Sequence, residues 1–288
     1  MANTLASGTY KQQWEVKLQQ RLNRPISWMD VADVIYTDSN IINVPYMSTV
    51  FSTSSYTRGA QYSYSDFVLT NETLTVGTDY VAPVFVDEAD SAQNSYTQME
   101  ELATRQASLQ RERIETDFLD DHANWRNVGM VAGTITDNDT TQITVSATTI
   151  SQIVRGVRRI VIANNGSELM NEKGLCFVWS ATHLEFLEQF AQANGFNLAD
   201  TALKNGVPNG YFLLGAYHYV SNNNVANHAF AGVKKLFKIG ILRKTWGKVK
   251  MVEEPNRQSG TGWVSRIDYG TLTPTGYNTI LFDINVSN

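Results

Sequence analysis

The sequence predicts an α+β chain with intertwined domains, and three observations carry that prediction. An uninterrupted apolar run, GLCFVW at 174–179, leads directly into a helical pattern at 180–195. A long helical pattern beginning near Ser95 has too thin an apolar stripe for a coiled coil, so it reads as a helix lying across a sheet. Period-two alternation, the signature of strands, recurs on both sides of these helices, with no internal repeat and no low-complexity linker between them.

Along the chain, Trp14, Leu18 and Leu22 fall at i, i+4 and i+8 and are stopped by Pro25. Lys11, Lys17, Arg21 and Arg24 make this stretch basic. It is either a helix docked on its own domain or an arm that reaches a neighbour or nucleic acid. From 41 to 86 the pattern becomes strand-like: 61–67 alternates tyrosine with small polar residues, and 73–76 alternates again after a turn expected at Asn71-Glu72. A two-stranded hairpin this polar cannot hold itself together in water, so it predicts a long projecting loop that lies on another surface.

The long helix opens on a capping box, Ser95-x-x-Gln98, and runs to about His122, ~28 residues or ~42 Å. Its stripe is expected from Met99, Leu102, Ala103 and Leu109, shifting to Ile114 and Phe118. Glu101/Arg105, Arg111/Glu115 and Arg113/Asp117 stand at ion-pair spacing. A short strand at 142–145 precedes a second capping box, Thr149-x-x-Gln152, and a helix with Ile150, Ile153, Val154, Val157, Ile160 and Val161 on one face. After the apolar run, Ser180 caps a helix that buries Leu184, Leu187, Phe190 and Ala191 and stops at Asn194-Gly195. The C-terminal part reads as strands at 248–251 and 280–286, separated by a Gly/Ser/Asn loop at 255–262.

Apolar residues make up 42% of the 288 and charged residues only 18%, a balance suited to a surface that meets other protein. Net charge is −5, unevenly spread: thirteen acids and three arginines lie within 66–121, whereas 201–252 holds eight Lys/Arg and no acid. Such halves can steer head-to-tail contacts between copies. The single cysteine, Cys176, excludes an intrachain disulfide, and its neighbours predict a buried thiol. No apolar run spans a bilayer and no hydrophobic signal segment opens the chain, so a soluble protein made in the cytosol is expected.

The order of these pieces resembles the Hong Kong 97-type capsid fold of tailed-phage major capsid proteins. Local likeness rests on the helix at 150–161, the strand, serine and helix at 175–187, the glycine, strand and Ser-Asn at 215–224, and Tyr269-Gly270. Ala181 stands where many relatives have proline, and 215–220 is bulkier than usual. The resemblance implies an N-terminal arm (1–40), an extended loop (41–88), a peripheral domain with a spine helix (89–147 and 233–288) and an axial domain (148–232). It implies hexamers and pentamers in an icosahedral virion shell around double-stranded DNA, assembled in the host cytoplasm. Scaffolding, portal and decoration proteins are the implied partners, with no cofactor, metal, membrane or catalysis. An encapsulin-like compartment, or an α+β enzyme with a loop active site, is the alternative.

Expected contacts between copies are Arg58, Tyr62, Tyr64, Glu101, Asp117, Lys248 and Lys250, while Lys11, Lys17, Arg21 and Arg24 are expected to face DNA. Some relatives weld their shells through a loop lysine. This chain has no lysine between Lys17 and Lys173, so a non-covalent shell is expected. Only ~40 residues precede the loop, which favours a separate scaffolding protein over a fused one.

Catalytic patterns are weak. Cys176 and His183 lack an electropositive setting, and His183-x-Glu185 lacks the Cys-x-x-Cys of a zinc deaminase. His218 and His228 are a conceivable metal pair, although a histidine meeting a backbone carbonyl is commoner. No Walker loop occurs. Seven Lys/Arg at 234–250 with Phe237 and Trp246 form the best nucleic-acid candidate, but Leu236, Ile239, Ile241 and Leu242 mark much of it as core. The segment is therefore expected to meet the acidic spine region of a neighbour.

Overall fold

A computed structural model describes residues 26–47, 55, 57–59, 61, 68–86, 98–194, 211–252 and 261–287. The chain is mixed α/β, and its centre is the apolar run: β8 (Leu175–Trp179) is buried at all five residues. A strand buried on both faces needs neighbours on both edges and cover above and below. Here β10 (Ala216–Val220) pairs parallel on one edge and β11 (His228–Val233) antiparallel on the other. The sheet extends through β9 (Tyr211–Leu213) on one side. On the other it extends through β15 (Leu281–Ser287), β5 (Arg126–Val131) and β6 (Thr134–Asp137), with β7 (Ile143–Thr144) also on β15.

The two predicted helices cover this sheet. α3 (Ile150–Ala163) buries Ile150, Ile153, Val154, Val157, Ile160 and Val161, the face its periodicity requires. The Thr149 capping box does not form: the Thr149 hydroxyl donates back to the Thr144 carbonyl and accepts from the Ser146 amide at 2.9 Å. A short helix, α4 (Ser167–Lys173), leads into β8. In α5 (Ala181–Ala193), by contrast, Ser180 caps as expected, its hydroxyl accepting from the His183 amide.

A second sheet is organised by β14 (Thr261–Leu272), a twelve-residue strand that the polar sequence TGWVSRIDYGTL conceals. Along one edge of β14 lie β12 (Lys238–Leu242) and β13 (Val249–Val252); along the other lies β4 (Thr78–Val86). A short helix, α1 (Trp28–Val31), leads into β1 (Asp33–Thr37), which adds to β12 in parallel. The long helix, α2 (Gln98–Asp120), lies across β4 and β14. Ser95 of its expected capping box is outside the described residues.

The stripe on α2 differs from expectation. Ile114 and Phe118 are turned to the sheet as expected, and the side chains of Met99 and Leu102 lie outside the described residues, but Leu109 is exposed and Gln106 and Gln110 are buried in the stripe. Polar side chains stand there because β4 and β14 offer backbone and hydroxyl partners: Gln106 Nε2 donates to the Ala82 carbonyl (2.8 Å) and the Trp263 carbonyl (3.1 Å), and Gln110 donates to Ser265. The Arg111/Glu115 pair is also absent. Glu115 is buried and accepts from Ser27 N (3.0 Å), Ser27 Oγ (2.7 Å) and Trp28 N (2.9 Å), fastening α1 to α2. Phe118, Trp125, Phe230 and Phe237 pack edge-to-face with centroids as close as 4.7 Å, joining the end of α2 to the larger sheet in one core.

The hairpin is built from β2 (Ile41–Met47) and β3 (Leu69–Thr75). Asn71-Glu72 is no turn: it lies mid-strand opposite Pro45 and Val44. Most of 61–67 is outside the described residues. The hairpin base rests on the second sheet, as its polarity requires: Leu74 and Val76 are buried over Gly240, and Thr275 N donates to Glu72 Oε1 at 2.9 Å.

Candidate assembly surfaces

Among the described hairpin residues, Ile41, Val68 and Leu69 are exposed large apolar side chains, with Leu69 60% exposed, and Val81 on β4 is exposed as well. Arg58 is exposed in a turn with Gly59, whose φ is +86°. Tyr62 and Tyr64 lie outside the described residues, as do Lys11, Lys17, Arg21 and Arg24. Glu101 is in α2, but its side chain is likewise outside them.

Most of the described acids of the acidic segment are committed within the chain. Asp79 pairs with Arg266 (2.9 Å), Glu112 with Arg105 (3.8 Å) and Asp117 with Arg113 (2.8 Å), and Tyr269 donates to Asp117. Thr273 Oγ1 donates to Asp121 at 2.6 Å. Asp117, an expected contact between copies, therefore serves first to tie α2 to β14. Glu115 has a carboxyl held above its ordinary range, because burial outweighs the Ser27, Ser221 and Trp28 donors around it.

The basic segment divides. Lys234 Nζ donates to Tyr219 Oη (2.8 Å) and sits over the Tyr217 ring; Lys235 Nζ donates to the Met29 and Ala32 carbonyls; Lys238 pairs with Asp33 at 2.9 Å. These three hold the fold. Arg243, Lys244, Lys248 and Lys250 are exposed, and among the described residues none of the four forms an ion pair. Arg243, Lys244 and Lys248 lie in the loop between β12 and β13, and Lys250 follows within β13.

The titratable groups that the sequence offers for chemistry are structural. Cys176 donates its thiol to the Gly232 carbonyl at 3.2 Å, and burial pushes its pKa up to about 12, away from any nucleophilic thiolate. His183 packs edge-on against Trp179. His218 and His228 do not converge. His218 accepts at Nδ1 from Trp179 Nε1 (3.0 Å), which makes it the Nε2–H tautomer that donates to the Leu213 carbonyl at 3.1 Å. Burial holds its pKa down to about 4. His228 pairs with the buried Asp283 at 2.8 Å and packs against the His122 ring at a tilt, with centroids 4.1 Å apart. Among the described residues no group of three His, Cys, Asp or Glu can hold a metal, and no helix is long and apolar enough to cross a membrane.

The described residues thus present two large sheets and a hairpin with exposed apolar and basic side chains. No family model matches the sequence, and no curated protein does. Solved structures match it end to end. A chain in a structure of Mycobacterium phage Che8 superposes with a TM-score of 0.72 at 14% identity, covering 98% of both chains. The capsid of a native GTA particle gives 0.67 at 12% identity, covering 98% of this chain and 97% of that one. The mature capsid of bacteriophage PhiM1 gives 0.62 at 12% identity, covering 97% and 92%. The chain has a phage capsid fold. At these identities the likeness is one of architecture, and in this capsid fold the hairpin, long helix and both sheets all fall within the matched length.

Proposed function

We propose that this chain is a major capsid protein that self-assembles into the head shell of a tailed phage. The observation that carries the reading is the end-to-end match, near-complete for both partners, to chains from the GTA and PhiM1 capsids and from a Mycobacterium phage structure. A local match of one sheet would leave the hairpin and α2 unexplained; this one includes them. The finer architecture is of Hong Kong 97 type. Residues 1–40 are the arm, 41–88 the extended loop, 89–147 and 233–288 the peripheral domain with α2 as spine, and 148–232 the axial domain. The axial sheet also takes β5, β6, β7 and β15 from the flanking segments, so the two domains share chain.

In this reading the copies form hexamers and pentamers, non-covalently, around packaged double-stranded DNA in the virion, after assembly in the host cytoplasm with a scaffolding protein and portal. Decoration proteins are further partners. The role is non-enzymatic, and the buried Cys176 and His183 are core residues. Contacts between copies come from the hairpin, with Arg58, Tyr62 and Tyr64, and from Lys248 and Lys250 meeting acids of the next copy, including Glu101 and what Asp117 leaves free. Because each contact repeats around closed rings, modest interfaces suffice.

Electron microscopy of the overexpressed full-length chain tests this. Shells, or rings of five and six, are expected; a compact monomer under all assembly conditions would sink it. Nucleic acid inside the particles separates a phage head from an encapsulin-like compartment holding protein, and a ladder on a denaturing gel would overturn the non-covalent shell.

A further inference from the structure

The outward face of α3 carries Arg155, Arg158 and Arg159, within a helix that has no acidic residue. Among the described residues none of the three forms an ion pair. Each is instead pinned by a backbone carbonyl: Arg155 donates to Ser151 O (3.1 Å), Arg158 to Leu214 O, and Arg159 to Ile135 O. A guanidinium has five N–H donors in a rigid plane, so one anchoring bond fixes its direction and leaves most donors for a ligand. The usual cost of ordering a long side chain on binding is thereby reduced.

Beside Arg159 runs an open groove of about 390 Å³ between β6 and α3, with an apolar floor of Ile135, Ile160 and Ala163 and with Thr134 and Thr136 also lining it. Asp137 also lines it, but its carboxylate is engaged by Arg126 and by Asn164 Nδ2. Hydroxyls beside arginines are the groups that contact nucleic-acid backbone. The core of a protein interface would instead be apolar and aromatic, whereas the exposed large apolar residue on α3 is Ile162 alone.

We propose that this arginine ridge binds the phosphate backbone of duplex DNA without reading its sequence. The assignment rests on the shell reading above and gives the inner surface a specific element: in a chain of net charge −5, some face must meet a polyanion without repulsion. Arg155 and Arg159 are one turn apart, about 6 Å along the axis, which lets them engage phosphates of one strand together.

The test is fluorescence anisotropy of a random-sequence 20-base-pair duplex titrated with the dilute, unassembled full-length chain at 50, 100 and 200 mM salt. Arg155→Gln/Arg159→Gln is expected to reduce the slope of log K against log salt by about 2, near 0.9 per lost phosphate contact. Arg155→Lys/Arg159→Lys, which keeps the charge, is expected to keep the slope, and Lys248→Gln/Lys250→Gln to leave it unchanged. An unchanged slope in the first variant overturns the proposal. So does preferential capture of polyglutamate over duplex, which would reassign the ridge to the acidic surface of a second copy. Either result would leave the shell reading standing if particles still form, while a chain that forms no shells fails that reading whatever its slope.

Discussion

Gly240 on β12 and Gly270 on β14 stand opposite each other in the antiparallel register, and together they form the floor on which the hairpin base lies. A Cβ on Gly270 would stand 2.0 Å from the Thr75 carbonyl oxygen, which is backbone and cannot swing aside. A Cβ on Gly240 would meet Val76, Ile42 and Leu74 methyls at 3.0 to 3.1 Å. The pair is therefore a flat spot in a sheet, made so that two strands can cross it closely.

Gly270→Ala is expected to lift the hairpin base and destabilise the chain by about 1–3 kcal/mol, read as a lowered Tm. Gly240→Ala should cost less, since side chains can yield, and Gly276→Ala, with nothing within 4 Å of its Cβ, should be near neutral. Equal effects at all three positions would disprove the floor.

Glu115 joins α1 to α2 by accepting three donors in the core. In Glu115→Gln one oxygen becomes an NH₂ group that faces donors, so a loss of about 1–3 kcal/mol in chemical denaturation is expected. Because burial raises the folded-state pKa, the native chain holds this proton to higher pH than the unfolded chain. Wild-type stability should therefore decline as pH rises from the ordinary carboxylate range through that raised value, and the variant should lack this portion of the profile.

His218 behaves oppositely. Its folded pKa of about 4 lies below the ordinary value of 6.5, so its contribution is complete above pH 6.5 and is lost as pH falls toward 4. Denaturation at pH 7, 5 and 4 should show a decline approaching about 3 kcal/mol from this group. Trp179 fluorescence reports the event directly, since protonation at Nδ1 breaks its indole hydrogen bond. A His218→Gln chain with the same acid profile would remove His218 from the account.

Lys248 and Lys250 are exposed on or beside β13 without an ion pair among the described residues. Lys248→Glu/Lys250→Glu should change the stability of the unassembled chain by no more than about 0.5 kcal/mol, while reducing particle yield in sedimentation velocity. Unchanged assembly would reject these lysines as contacts between copies.

Short-range features of the fold are legible in the sequence. The fully apolar 175–179 had to be a central strand, the stripe from Ile150 to Val161 had to be a helix face, and Ser180 had to cap the next helix. The stripe on α2 was misread because Gln106 and Gln110 look like surface residues until the Ala82 and Trp263 carbonyls and the Ser265 hydroxyl are brought beneath them. β14 was missed for a related reason: it pairs with three strands, so backbone partners hold it more than any alternation of its side chains.

The charge pattern shows where local reading ends. Sequence by itself determined that acids cluster at 66–121 and bases at 201–252, and that a hairpin so polar needed a surface to lie on. Only the tertiary structure decided that Glu115 is buried, that Lys234, Lys235 and Lys238 brace the fold, and that Arg155 and Arg159 face outward without an acidic partner among the described residues. The physical reason is range. Periodicity and capping act over a few residues, whereas the partner of a charge is set by contacts such as Ser27 to Glu115, 88 positions apart.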